Sequence, residues 1–252
     1  MKLIQLNIWQ GRLLGQIIDF LQAEKPDIMC LQEVHSSPFT IPLFDFFSSL
    51  ERLKAAFPTY DVFYSPTHAF NMLDTQVEIG NAIFSRYPLK DTRSIFIHND
   101  YIVRRAAHDF GDPNGGNIRN LQIARAVTGN NTTLAVANHH GYWEKSPQGS
   151  AVSLQKMRQV ASELAQEPRP LILAGDFNIS YDSPAMVPLQ TTLYDLIGEE
   201  KVPTTLSTLS YVTDNVPVDH IMISDGIKAH ALTVADDVII SDHLPVMLEF
   251  DM

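Results

Sequence analysis

Four polar residues stand at the ends of apolar runs that read as buried strands. Asn7 follows residues 3–6, Glu33 follows residues 28–32, and Asp176 and Asn178 follow residues 171–175. A charge within such a strand would have to be buried and paired, whereas one at its end can project into a crevice shared with other strand ends. Any one of these residues alone reads more readily as a turn or cap. Their repetition points to convergence on a metal. Hard cations such as Mg²⁺ take carboxylate, amide and water oxygens, and the chain offers these without a thiol or paired-histidine spacing for zinc.

The surrounding periodicities say which elements must position them. Residues 2–9 alternate as a strand, Leu14, Ile17, Ile18 and Leu21 fall at i, i+3, i+4, i+7 spacing before Pro26, and residues 27–31 begin a buried strand. A second helix is expected over about 43–57, and residues 60–65 look extended. Short β-like runs at 77–85, 89–97, 118–128 and 132–138 follow with no helix between them, the last two joined by a turn at Asn130-Asn131. Parallel neighbours need a crossover of a dozen or more residues, so the pattern argues against a purely parallel doubly wound sheet. An amphipathic helix spans about 151–165, with Leu154, Met157, Val160, Ala161 and Leu164 on one side, and strands are expected at 171–174, 216–224, 231–234 and 246–250. Strand pairs stacked face to face with helices outside make an α/β sandwich, expected as a single domain over residues 1–252. The breaker-rich segment 111–117 reads either as a flap beside a site or as a plain connection.

The 252 residues, 45% of them apolar, supply one large core or at most two small ones. A lone Cys30 makes no internal disulfide and reads as core packing, and no apolar run approaches the ~20 residues of a membrane span. The expectation is a soluble cytoplasmic protein. The formal charge of −11 would repel a polyanion if evenly spread, but residues 86–158 carry ten basic and five acidic residues, leaving −16 on the remainder. That stretch is either a chance excess on solvated faces or a phosphate-facing surface. No G-x-S-x-G elbow, Walker phosphate loop or G-x-G-x-x-G fingerprint is present, and Tyr181 stands where a calcium loop starting at Asp176 would need glycine. The acceptor-like Asn130-Asn131-Thr132 reads as a turn.

An ordered set of motifs then emerges: LNI at 6–8, LQEV at 31–34, GNAIFSRYP at 80–88, NHH at 138–140, GDFN at 175–178, VDHI at 218–221 and SDHLP at 241–245. Together they resemble the endonuclease/exonuclease/phosphatase superfamily of DNase I-like enzymes, across nearly the whole chain. The resemblance implies a four-layered αββα sandwich with a divalent-metal site at one edge of its two sheets. It implies Glu33 as the main Mg²⁺ ligand, with Asp242 at or near the same ion and Asn7 holding the metal-side network. Asp176 would orient or deprotonate the attacking water, and Asn178 would hydrogen-bond a phosphate oxygen. His243 would donate to the phosphoryl oxygens with Asp219 orienting its ring, and His140 would contact the phosphate, leaving His139 unassigned. A His–Asp pair fixes the tautomer and raises the imidazole pKa, which keeps a proton donor available near neutral pH.

Strand alternation turns His220 away from Asp219, so it is expected to be structural. His68, His98, His108 and His230 match no motif. Tyr142 and Trp143, before Lys145, could stack on a base or sugar, or anchor a loop. Arg104 and Arg105 could bind a phosphate or serve solubility. The expected activity is Mg²⁺-dependent phosphoester hydrolysis, with Mn²⁺ substituting, by a monomer acting as a phosphodiesterase or nuclease on nucleic acid. The alternatives are a hydrolase of a phospholipid head group or small soluble phosphoester, and, more remotely, a non-catalytic binding module.

Overall fold

The computed structural model describes residues 1–39, 42–104, 117–129, 132–212 and 215–252. Arg105, His108, loop residues 111–116 and the Asn130-Asn131 turn therefore lie outside the described residues.

In chain order the strands are β1 (Lys2–Asn7), β2 (Ile28–Ser36), β3 (Asp61–Met72), β4 (Thr75–Ser85), β5 (Leu89–His98), β6 (Ile102–Arg104) and β7 (Arg119–Val127). They continue with β8 (Thr133–His140), β9 (Leu171–Asp176), β10 (Tyr194–Asp195), β11 (Asp219–Ile223), β12 (Lys228–Val234) and β13 (Val246–Asp251). The helices are α1 (Leu14–Glu24), α2 (Ser49–Ala56) and α3 (Ala151–Leu164), with single turns α4 (Val187–Gln190) and α5 (Leu196–Glu199). One mixed sheet runs β12-β13-β1-β2-β4-β3-β6 and the other β10-β11-β9-β8-β7-β5. No helix among the described residues is long and apolar enough to cross a membrane.

Strand alternation builds the layers. Leu3 joins Ile28, Cys30, Ile83, Ala124, Val136, Ile172, Ile221 and Leu248 in a core contributed by both sheets. The alternate residues Ile4, Leu6, Met29 and Leu31 pack instead on Leu14, Ile17 and Leu21 of α1 and Leu50 and Leu53 of α2. On the other side, Met157, Val160 and Leu164 of α3 cover Leu121, Ile123, Ala135, Ala137, Leu171 and Leu173. The order is helices, sheet, sheet, helix, as the αββα expectation requires. Cys30 is buried and free in the central layer.

Boundaries differ from the sequence expectation where tertiary pairing outruns local pattern. The extended run at 60–65 is the start of a twelve-residue strand, because β3 pairs along β4 from Asp61↔Ser85 to Met72↔Thr75. The helix expected at 43–57 is a 3₁₀ stretch, Pro42–Ser48, before α2. The central layer also contains amides: Gln5 donates to Gln32 (2.9 Å), Gln32 to Asn138 (2.7 Å) and Asn138 to Gln122 (3.0 Å). Each is fully buried, and the chain of bonds satisfies most of the polar atoms that burial would otherwise penalise.

His220 is structural, as alternation implies. Its Nδ1 lies 3.0 Å from Asp195 Oδ2 and its Nε2 donates to the Ile179 carbonyl at 2.9 Å. Burial opposes the charge on both partners, but their attraction prevails, raising the His220 pKa and lowering that of Asp195. Removing one charge of a buried pair leaves the other uncompensated, so Asp195→Asn is expected to cost about 3 kcal/mol, on the order of 6–12 °C in Tm. The His220 contribution is complete below its unfolded pKa and is lost as pH rises through its raised folded value. Thermal melts should therefore show the gap between wild type and Asp195→Asn narrowing as pH rises. A gap independent of pH would contradict the charged pair.

Candidate active site

The topology explains why distant residues meet. β1 and β2 are parallel, as are β8 and β9, so Asn7, Glu33, His140 and Asp176 sit toward corresponding ends. β11 runs antiparallel to β9 and begins with Asp219 paired to Asp176, and the 241–245 segment enters antiparallel β13 beside β1. Starts of antiparallel strands thus meet the ends of parallel ones. Ser241 Oγ donates to the Asn7 carbonyl (2.6 Å) and Ser207 Oγ to the Ser241 carbonyl (2.6 Å), fixing this segment against the end of β1. A cleft of about 530 Å³ opens there, lined by Asn7, Glu33, Arg119, His140, Asp176, Asn178, Asp242 and His243 among others.

At its centre the His243 Nδ1–H donates to Asp219 Oδ2 at 2.8 Å, which leaves Nε2 3.6 Å from Asp176 Oδ2. Asp219 is fully buried; its Oδ2 also accepts from Thr205 Oγ1 (2.6 Å) and its Oδ1 from Gln5 Nε2 (3.0 Å). Burial opposes the imidazolium, but Asp219 and Asp176 outweigh it and raise the His243 pKa well above the usual value. Asp176 Oδ2 accepts from Asn7 Nδ2 (3.0 Å) and its Oδ1 from the Asn178 backbone N–H (3.0 Å). Asn178, in the left-handed region at φ 58°, gives one amide proton to the Gly141 carbonyl at 3.2 Å. Gly175 is required beside Asp176, because a Cβ there would lie 1.9 Å from the His139 carbonyl oxygen.

Glu33 occupies a β-bulge, where the β2–β4 register shifts between Leu31 and Val34, and has φ of 59°. The bulge breaks alternation, so Gln32 stays in the central layer while Glu33 lines the cleft. Its one hydrogen bond from a described side chain is a long one from Asn7 Nδ2, 3.4 Å. Burial pushes up the Glu33 pKa, against His243 and Arg119, and burial with the nearby Glu33 charge pushes Asp242 up to about 6, against His243. Burial likewise raises Asp176. Glu33 and Asp242 are hard oxygen donors with lone pairs to spare in a site short of positive charge, and they fit a hard divalent cation. Asp176, Asp219 and His243 also bring ligand atoms within 4.8 Å of one another. Both oxygens of Asp219 already accept hydrogen bonds, which makes that trio an orienting network rather than a vacant ligand set.

His140 lies with Nε2 3.5 Å from Asp176 Oδ2 and Nδ1 3.4 Å from Arg119 Nη1. Burial and the Arg119 charge push its pKa well below the usual value and keep it neutral. His139 is buried against Phe177 and bonds the Asn120 carbonyl at 3.0 Å, a structural role. All eight residues proposed from sequence lie at this edge: seven line the cleft, and Asp219 stands behind His243.

Arg119 is the residue the sequence reading missed, having been counted only within the basic stretch. It opens β7, and because β7 is antiparallel to β8 its start lies beside the end of β8. The strand-end rule, applied also to strand starts, would have found it. That stretch does not gather at the cleft: Arg86 pairs with Asp27, Arg93 with Glu163 and Glu167, and Arg125 with Asp91 and Glu167. Of its described members, Arg119 and Lys145 line the cleft. Tyr142 and Trp143 separate, Tyr142 packing edge-on against His98 at 4.7 Å while Trp143 lines the cleft. His230 pairs with Asp251 at the surface (2.8 Å).

Two face-packed mixed sheets flanked by helices, with acids, amides and an Asp–His pair at one edge, define the DNase I-like class of phosphoester hydrolases. Residues 4–243 match the Endonuclease/Exonuclease/phosphatase family, and the chain belongs to it. No curated protein matches. Solved structures do. An endonuclease/exonuclease/phosphatase from Beutenbergia cavernae shares 18% identity with a TM-score of 0.75, over 100% of this chain and 71% of that one. The mannosyl-6-phosphatase Bt3783 from Bacteroides thetaiotaomicron shares 16% with a TM-score of 0.72, over 100% of both chains. The human Nocturnin catalytic domain with bound sulfate anion shares 17% with a TM-score of 0.68, over 100% of this chain and 94% of that one. At these identities the solved structures establish the fold; the family establishes phosphoester hydrolysis.

Proposed function

We propose that the protein is a Mg²⁺-dependent phosphodiesterase acting on nucleic acid. The supporting observation is the alignment of Asp219, His243 and Asp176, with Nδ1 of His243 committed to Asp219 (2.8 Å) and Nε2 turned toward Asp176 and the cleft. Glu33 and Asp242 would hold the metal, which when bound supplies Lewis-acid neutralisation of phosphoryl oxygen charge. Asp176, oriented by Asn7, accepts the proton of the attacking water. Asp219 and Asp176 hold His243 as an imidazolium, so with Nδ1–H bonded to Asp219 its Nε2–H donates to a phosphoryl oxygen as charge builds there. The second amide proton of Asn178 and neutral His140 complete the contacts to the phosphate. We also read the chain as a cytoplasmic monomer, for which light scattering should give the mass of one chain.

EDTA is expected to abolish hydrolysis of bis-p-nitrophenyl phosphate, and Mg²⁺ or Mn²⁺ to restore it; activity that survives exhaustive chelation contradicts the proposal. Salt separates substrate classes. With Arg119 and Lys145 as the cleft cations, log kcat/KM on single-stranded nucleic acid should fall against log salt with a slope of roughly −1.4, at ~0.7 per phosphate contact. A flat response would favour a small soluble phosphoester, the substrate type in the name of the mannosyl-6-phosphatase neighbour.

A further inference from the structure

The chain has two tryptophans, and both stand at this edge of the fold rather than in the core. Trp143 is 52% exposed on the cleft wall formed by the loop after β8, and its backbone is clamped by one side chain. Asn117 Oδ1 accepts from the Trp143 N–H at 2.8 Å, and Asn117 Nδ2 donates to the Trp143 carbonyl at 2.9 Å. Asn117 is two residues from Arg119, so indole and guanidinium belong to the same wall. Tyr211, 83% exposed, lines the cleft from the segment after the Ser207–Ser241 contact. It packs edge-on against Trp9 (6.5 Å), which in turn carries the Arg12 guanidinium 4.7 Å from its ring centre. Trp9 is held in a left-handed conformation, φ 50°, by its N–H bond to Asn7 Oδ1 at 3.0 Å.

Arg119 has no ion pair among the described residues. Its Nε is buried without a partner among the described residues, and its Nη1 approaches neutral His140 Nδ1 at 3.4 Å. A half-buried guanidinium that feels Asp176 and Glu33 but has no carboxylate within ion-pair distance among the described residues presents a planar fork suited to two anionic oxygens. We propose that Arg119, Trp143 and Tyr211 form a nucleotide subsite, in which Arg119 takes the phosphate oxygens and the two aromatic walls receive the unpaired base attached to it. This rests on the phosphoester reading above and names its substrate class.

The wall chemistry favours a base over a sugar. Sugars stack on indoles too, but their recognition needs free carboxylates or amides to read the hydroxyls. Near Trp143 both ends of the Asn117 amide serve the Trp143 backbone, and Glu144 Oε1 accepts from both Ser150 and Ser153, which leaves one oxygen, Glu144 Oε2, to read a hydroxyl. Planar faces remain, and every base offers a face to them once it is unpaired.

Trp143 itself reports the test. In a Trp9→Phe background with Mg²⁺ present, AMP, ribose 5-phosphate, mannose 6-phosphate and inorganic phosphate are titrated and fluorescence is recorded within seconds of mixing. AMP should quench and bind about tenfold more tightly than ribose 5-phosphate, the size of one base stack. By calorimetry on the otherwise wild-type chain, Trp143→Ala should erase that difference and leave the phosphate Kd within twofold, Trp143→Phe should retain part of it, and Arg119→Gln should weaken every ligand. A single-stranded trinucleotide separates two sources of the same chemistry, tighter binding than AMP indicating a strand end and equal binding a free nucleotide. Ribose 5-phosphate or mannose 6-phosphate matching AMP overturns the base subsite, as does Trp143→Ala weakening all ligands equally. Metal-dependent hydrolysis persisting without AMP preference overturns the subsite alone, whereas AMP preference without metal-dependent hydrolysis overturns the hydrolase reading alone.

Discussion

Asp176→Asn is expected to lower kcat on bis-p-nitrophenyl phosphate by two to four orders of magnitude, the usual range for a general base. Asparagine preserves the shape and can still accept the bond from the Asn178 N–H, which in the native chain is 3.0 Å long. It cannot take a proton from water, and it removes one of the charges that hold His243 protonated. Stability should move the other way. Burial raises the Asp176 pKa, so its charge works against the folded state, and neutralising it should leave the metal-free Tm unchanged or higher. Loss of activity together with a retained or raised Tm separates chemistry from unfolding. A kcat within tenfold of wild type would remove Asp176 from the mechanism.

The second large effect is expected from Glu33→Gln. A carboxylate that burial makes costly, and that receives one 3.4 Å hydrogen bond from a described side chain, is arranged for a cation. Its loss should lower kcat/KM by at least two orders of magnitude and shift the Mg²⁺ requirement upward. Ligand linkage provides a readout independent of turnover. Wild type in Mg²⁺ at a hundred times its Kd should gain about 2.7 kcal/mol, whereas Glu33→Gln should gain almost nothing. Equal Mg²⁺ stabilisation of the two proteins would take Glu33 out of the metal site.

The order of strands and helices was legible because Leu14, Ile17 and Leu21 keep helical spacing, and because the β-like runs between 77 and 138 leave no room for crossover helices. The candidate site was legible where a cleft-lining polar residue stands at the end of an apolar run, as with Asn7 and Asp176. Three features were hidden. The Glu33 bulge depends on pairing with β4, a contact that local pattern does not encode. Gln5, Gln32 and Asn138 look like polar interruptions of strands, and only the stacking of two sheets shows that they bond to one another. Arg119 carries no motif, and its place follows from β7 running antiparallel to β8. Summed charge was the poorest guide, because Arg86, Arg93 and Arg125 are spent on ion pairs away from the cleft.

The most direct test is anomalous diffraction from crystals soaked in Mn²⁺. The site described here predicts a strong peak beside the Glu33 and Asp242 carboxylates. A peak seated among Asp176, Asp219 and His243 instead, or no ordered Mn²⁺ at the cleft, would contradict it.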